Sequence, residues 1–388
     1  MVLIGLLISL AGCHDDDADR RASRRPVSVR IAAYATTYTD VEPASRATRA
    51  GVWPPEGFKP YSQLTDIGGA LKTNEGAAIA AFFTQGNTKL ARKFRPTIGD
   101  EWLIDDSVAA GTYQLYGFVP FNGIDTTTIQ MTPYNGVSYA TGAVLTLNGV
   151  NTVSGQDLCV AVAAKDGTKE GNAAPLPVTT PQPGDFTCQF KANENYLFLL
   201  FDHLYAALRF RIRLSPEYAE LRSIKVRKLE LEAYQDADCL TPAKKLTTTI
   251  KLQANNTGAS PIVEVTNTPS GDDMERALIA NHESQPVKVT TAWTDDLGFA
   301  PQPSGHSYYM LYTTYDVYDT NVTTDNPDGN LIRSRCVASN KIDPYRLFNR
   351  TTDLERGHMY TVYLTVQPTY LYILSDPDLD NPTVTIGN

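Results

Sequence analysis

The side chains able to do chemistry are scattered along this sequence rather than gathered. The histidines are His14, His203, His282, His306 and His358, and no two stand at a metal-ligand spacing. Asp202 and His203 are neighbours, but adjacent side chains on a strand point to opposite faces, so they make no dyad. No GxSxG elbow, HExxH pair, P-loop or GxGxxG turn occurs. The cysteines are Cys13, Cys159, Cys188, Cys239 and Cys336, and none forms a CxxC pair. Cys159 alternates with apolar neighbours in Leu158-Cys159-Val160-Ala161-Val162 and reads as a buried free thiol. If Cys13 is modified, the other four can pair in more than one way, and spacing does not choose. Asp376-Pro377-Asp378-Leu379-Asp380-Asn381 has oxygen ligands at alternate positions, like half of a calcium loop. It lacks the loop's glycine and terminal glutamate, and Pro377 and Pro382 intrude, so a rigid turn is the better reading. Trp53, Trp102 and Trp293 could form a sugar platform with the tyrosines, although aromatic residues are also what β cores use. The expectation is a chain that is not an enzyme, with no catalytic residues, no cofactor and no metal.

Cys13 is the exception to this chemical silence. An uncharged apolar run, Val2 to Leu10, leads through Ala11-Gly12 into the cysteine. That order resembles a bacterial lipobox. The resemblance implies lipid on the Cys13 thiol, cleavage before Cys13 and acylation of the new amine. A single acyl chain holds a protein only marginally, so several chains on one residue make a stable anchor. The run is shorter than the roughly 20 apolar residues of a spanning helix and reads as a signal-peptide core. The alternative is an ordinary secretory peptide with a chance cysteine. His14-Asp15-Asp16-Asp17-Ala18-Asp19 follows at once, a solvated acidic tether of the kind that accompanies export to the outer face of the outer membrane.

After Arg20, Arg21, Arg24, Arg25 and Pro26 comes a candidate strand, 27–34. Val27, Val29, Ile31 and Ala33 alternate with Ser28, Arg30, Ala32 and Tyr34, the period of a half-buried strand. The pattern then stops. Ser45-Arg46-Ala47-Thr48-Arg49-Ala50 sets two arginines among small residues and reads as an exposed loop, and Arg46 or Arg49 suits an Arg-specific protease. Loops also hold arginines that are never cut.

The chain has 388 residues, enough for about two domains, and a net charge of −9 that argues against nucleic acid as a partner. Short alternating runs with Gly, Pro, Asn and Asp between them argue mainly-β sandwiches with a few short helices. The organisation expected is a leader and tether over 1–26, an N-terminal domain over 27–193 and a C-terminal domain over 194–388. In the first domain, strands are expected at 78–83, 112–119, 143–147, 158–164 and 186–190. In the second, the strongest signal is Leu208, Phe210, Ile212 and Leu214 alternating with Arg209, Arg211 and Arg213: one oily face and one cationic face. Those arginines could bind an anionic glycan, but a solvated sheet face is the commoner use. Ser215-Pro216-Glu217 reads as a helix start. A parity switch after Val226 suggests a β-bulge near Arg227-Lys228. Residues 272–281 read as a short helix, and Asp328-Gly329 as a hairpin turn with positive φ angles.

Several segments are similar to the fimbrillin-type (type V) pilin lipoproteins of Bacteroidota. One is the lipobox with its Ser-Arg-Ala-Thr-Arg loop. Others are Phe201-Asp202-His203-Leu204 leading into 208–214, and Thr314-Tyr315-Asp316-Val317-Tyr318-Asp319 with Gly329-Asn330-Leu331-Ile332-Arg333. The last runs from Arg356-Gly357-His358 through 370–382. The resemblance implies two tandem transthyretin-like β-sandwiches and export to the cell surface as a lipidated precursor. It also implies cleavage after an arginine that follows the first strand. A terminal strand of another subunit would fill the opened groove, and a fimbria for adhesion to host or bacterial surfaces would grow. Carried over, Cys13 is the lipid site and Arg46 or Arg49 the cut. Thr383-Val384-Thr385-Ile386 is a candidate donor or a native edge strand, and stalk, tip and anchor roles stay open. The alternative is a monomeric surface lipoprotein that binds glycans.

Overall fold

Strands form where β-branched and aromatic residues alternate, and a few exclusively apolar runs form strands too. The computed structural model describes residues 26–27, 29–36, 39–40, 58–60, 78–96, 101–104, 106–119, 129–150, 157–192, 194–255, 261–295, 297–302, 308–348, 354–369 and 378–387.

In the first half, strand pairing runs around a closed ring. Val29–Thr36 pairs with Glu101–Ile104, which pairs with Thr88–Pro96, then Ile79–Gln85, then Gly111–Val119. Gly111–Val119 pairs with Cys159–Thr168, which pairs with Asn195–His203, and that strand lies parallel to Val29–Thr36. The sequence expectation for this half is a β-sandwich; the strand pairing is a closed ring instead. The ring closes because the far end of Gly111–Val119, at Phe118 and Val119, turns onto Val160 and Cys159. Its interior holds Val29, Ile31, Phe83, Phe94, Leu115 and Phe201.

A four-stranded sheet covers part of the ring's outer face. It runs Gln130–Pro133, Gly142–Val150, Lys244–Gln253, Val263–Asp273. Leu145, Ile250 and Leu252 from this sheet meet Phe82, Tyr116, Phe118 and Val160 from the ring. Two ring strands are thereby buried on both faces, which explains the unbroken apolar runs Ile79-Ala80-Ala81-Phe82-Phe83 and Tyr196-Leu197-Phe198-Leu199-Leu200-Phe201. This covering sheet draws strands from both sides of residue 194.

The rest of the second half is two facing sheets. One runs Gly298–Gln302, Ala206–Leu214, His358–Thr369, Asp378–Gly387. The other runs Ala277–Asn281, Ser223–Tyr234, Tyr308–Tyr318, Leu331–Ile342. Leu208, Phe210, Ile212, Leu229, Leu311 and Leu364 fill the space between them. Ser215 caps the short helix Pro216–Ala219, its Oγ accepting the Tyr218 N–H at 3.3 Å. The bulge falls between Val226 and Lys228.

Three local expectations fail. The rigid turn read over 376–381 is, from Asp378 on, part of the strand Asp378–Gly387, which pairs with His358–Thr369. Residues 272–281 are not a helix: Val263–Asp273 ends there and Ala277–Asn281 begins, because Ala277 and Ile279 are claimed by the sandwich core. In the turn before Leu331, Gly329 alone of the Asp328-Gly329 pair takes a positive φ, at 85°.

Candidate functional site

The first strand, Val29–Thr36, is seated between neighbours on both sides. On one side it runs parallel to Asn195–His203, from Val29 opposite Asn195 to Ala35 opposite Phe201. On the other, Arg30, Ile31 and Ala32 pair with Leu103, Trp102 and Glu101, and Tyr34 to Thr36 pair with Pro60 to Phe58. Val29, Ile31 and Ala33 point into the ring and are 0, 1 and 3% exposed. Burying Val29 and Ile31 contributes roughly 1.5–3 kcal/mol each. Outside the ring, Arg30 Nε meets Glu194 Oε1 at 2.5 Å, a largely exposed pair.

Two short strands flank this one. Pro26–Val27 pairs with Val108–Ala109, and Thr39–Asp40 pairs with His358–Met359 of the sandwich. All three precede Arg46 and Arg49 in the chain, so a cut at either arginine separates them covalently from everything after it. Cys13, Arg46 and Arg49 themselves lie outside the described residues, as do Trp53, Asp376 and Pro377.

The last strand, Asp378–Gly387, has a different setting. Among the described residues it sits at an edge and pairs only with His358–Thr369, Ile386 opposite Leu364 and Val384 opposite Val366. Beside that pairing, between the two sandwich sheets, lies an apolar cavity of about 20 Å³ lined by Ile212, Ile224, Val226, Tyr315, Leu364 and Val366.

The sugar platform is not assembled from the described tryptophans. Trp102 is buried in the ring at 6% exposure. Trp293 is 36% exposed, tilted at 60° to Tyr363 with ring centres 4.7 Å apart, and the Arg213 guanidinium lies 4.2 Å above it. The cationic face of 208–214 is tied across the parallel ladder. Arg209 Nε donates to Thr361 Oγ1 at 2.6 Å and Arg213 Nε to Thr365 Oγ1 at 3.3 Å.

One cluster escaped sequence reasoning. Asp157, Cys159 and His203 are all fully buried and converge. His203 Nδ1 is 2.5 Å from Asp157 Oδ2 and 3.4 Å from Cys159 Sγ, and Cys159 Sγ is 3.6 Å from Asp157 Oδ2. The residues come from chain segments 44 and 46 positions apart, and only the pairing of Cys159 with His203 reveals them. The cluster is not a nucleophilic triad. In such a triad the nucleophile and the carboxylate engage opposite ring nitrogens, whereas here both meet Nδ1. Burial, reinforced by the Asp157 and Asp202 charges, also pushes the Cys159 thiol well up, so it stays protonated. Cys188 is likewise buried with its thiol pushed up by desolvation, and Cys159, Cys188 and Cys239 form no disulfide.

No protein-family model matches this chain. No curated protein matches it either. Among solved structures it is similar to a candidate cell adhesion protein from Bacteroides fragilis, with 10% identity, TM-score 0.40 and coverage of 94% of this chain and 97% of that one. A candidate cell adhesion protein from Bacteroides ovatus matches with 9% identity, TM-score 0.35 and coverage of 94% and 96%. The fimbrial anchor protein Mfa2 from Porphyromonas gingivalis matches with 11% identity, TM-score 0.27 and coverage of 93% and 94%.

Proposed function

We propose that the chain is a fimbrial subunit precursor, carried to the cell surface by lipid on Cys13 and matured by a cut after Arg46 or Arg49. Its role is structural and adhesive and uses no catalysis of its own. The ring with its cover and the sandwich would correspond to the two transthyretin-like domains of such subunits. The reading rests on one observation: the strand ahead of Arg46 and Arg49 is buried along one face and flanked on both sides. Once cut, the segment carrying Val29–Thr36 would be held only by its backbone ladders, those of Pro26–Val27 and Thr39–Asp40 included, and by a few medium-sized side chains. Its departure would leave an apolar slot bordered by two open strand edges, which another subunit's strand can fill by β-addition. The outer membrane, other fimbrial subunits and an Arg-specific protease are the partners this requires.

The test is to digest purified precursor with an Arg-specific protease, sequence the new N-terminus and follow assembly by size-exclusion chromatography. Loss of residues through Arg46 or Arg49 followed by oligomers supports the proposal. A digest that leaves the first strand seated and yields only monomers overturns it. The alternative, a monomeric glycan-binding lipoprotein, draws on Trp293 beside Tyr363 and Arg213 and would show as glycan-array binding that Trp293→Ala abolishes.

A further inference from the structure

We infer that Asp157, Cys159 and His203 form a buried binding site for a borderline-soft divalent cation of the zinc class. The inference is independent of how the chain assembles. Cys159 opens its strand directly opposite His203, which closes the neighbouring one, and Asp157 stands two residues before Cys159. Carboxylate oxygen, thiol sulfur and imidazole nitrogen are the donor types that such a cation takes from proteins.

The spacing suits coordination. With metal–ligand bonds of about 2.0–2.3 Å, a tetrahedral site sets its ligand atoms roughly 3.3–3.7 Å apart. The Sγ–Nδ1 and Sγ–Oδ2 separations, 3.4 and 3.6 Å, already fall there. Only the Nδ1–Oδ2 separation, 2.5 Å, has to open. His203 Nδ1 faces both Sγ and Oδ2, and Cys159 Sγ donates to the same Oδ2, so the three donor atoms converge on one point. An ion among the three atoms satisfies all of them at once. Charge points the same way: one thiolate, one carboxylate and a neutral imidazole cancel a divalent ion, which suits a site with no exposure. On binding, the Cys159 thiol proton leaves for solvent and His203 keeps its proton on Nε2. Until then burial keeps the thiol protonated.

The position gives the ion a structural purpose. His203 ends the ring, and the chain passes through Leu204 and Tyr205 into the sandwich. Around that passage Leu204 N–H donates to Leu158 O at 2.8 Å, Arg356 Nη1 to His203 O at 3.3 Å, and Gly357 N–H to Tyr205 O at 3.0 Å. An ion bound here would pin the crossing between the two halves.

The experiment titrates the full-length protein with Co²⁺ and Zn²⁺, both as folded and after refolding with the metal present. The expected result is one equivalent bound, with Co²⁺ giving thiolate-to-metal charge-transfer absorption and a tetrahedral visible spectrum. Cys159→Ser should abolish the charge-transfer band, and His203→Gln should lower Co²⁺ affinity at least tenfold, with circular dichroism reporting whether each variant folds. Should a variant not fold, the wild-type spectrum decides. A folded wild-type protein that shows no thiolate band by either route overturns the inference, as does stoichiometric metal retained by folded Cys159→Ser.

Discussion

The first and last strands of this protein resemble each other in sequence and differ in seating. Val29–Thr36 and Asp378–Gly387 each contain a short alternating stretch near one end of the chain. The first is enclosed, parallel to one neighbour and antiparallel to others across from it. The last is an edge with a single ladder. Removing an edge strand breaks one set of backbone bonds and leaves a new edge. Removing an enclosed strand exposes two edges and the floor of a core, and that is costly enough to drive replacement. On the proposed reading the two ends have complementary parts: the first strand would vacate a slot, and the last, held by one ladder, would be the one lent.

The largest effect expected is from removing the first strand itself. A chain beginning at Gly51 should fail to remain a stable monomer and should oligomerise or aggregate, as read by light scattering. A stable monomer would erase the contrast. Next, Ile31→Ala in the precursor should destabilise it by about 2–5 kcal/mol, visible as a lower denaturant midpoint.

The sandwich has its own sensitive point in Asp316, fully buried beneath Arg227. Burial alone would raise its carboxyl, but Arg227 Nη2 at 2.6 Å and the Arg335 N–H at 2.9 Å outweigh that and hold it below the ordinary range. A depressed value means stabilisation that is complete above about pH 3.9 and is lost as pH falls through the lower folded value. Asp316→Asn should cost about 3–5 kcal/mol at neutral pH and flatten the acid limb of the unfolding curve.

Deleting residues 378–388 should be milder. The shortened precursor should stay folded, its melting temperature falling about 2–4 °C for each kcal/mol lost, yet give no oligomers after digestion. The smallest effect is expected from Arg30→Ala, which removes an exposed ion pair on the first strand and should change stability by less than about 1 kcal/mol.

Much of this was legible from alternation. Val29, Ile31 and Ala33 face inward as their parity requires, and so do Leu208, Phe210, Ile212 and Leu214. The Ser215 cap and the bulge after Val226 also followed from local chemistry. What could not be read was anything decided by distant partners. The ring closes through two residue pairs, Cys159 with Val119 and Val160 with Phe118, and nothing local to Gly111–Val119 announces them. Lys244–Gln253 carries an ordinary strand pattern, which does not say that it pairs with Gly142–Val150 on the other half of the chain. Met274 to Asn281 holds small and apolar residues that suit a helix, and tertiary burial of Ala277 and Ile279 overrode that preference. The Asp157, Cys159 and His203 cluster was invisible for the same reason, its members joined by strand register and not by spacing.

The most direct test of the central claim offers the vacated slot a strand. A fluorescent peptide of residues 378–388 is added to intact precursor and to protein digested with an Arg-specific protease, and anisotropy and mass are followed together. The account predicts saturable binding to the digested protein alone, with the fragment carrying Val29–Thr36 released as peptide enters. Digested protein that keeps that fragment under excess peptide, or binding that is equal before and after the cut, would contradict it.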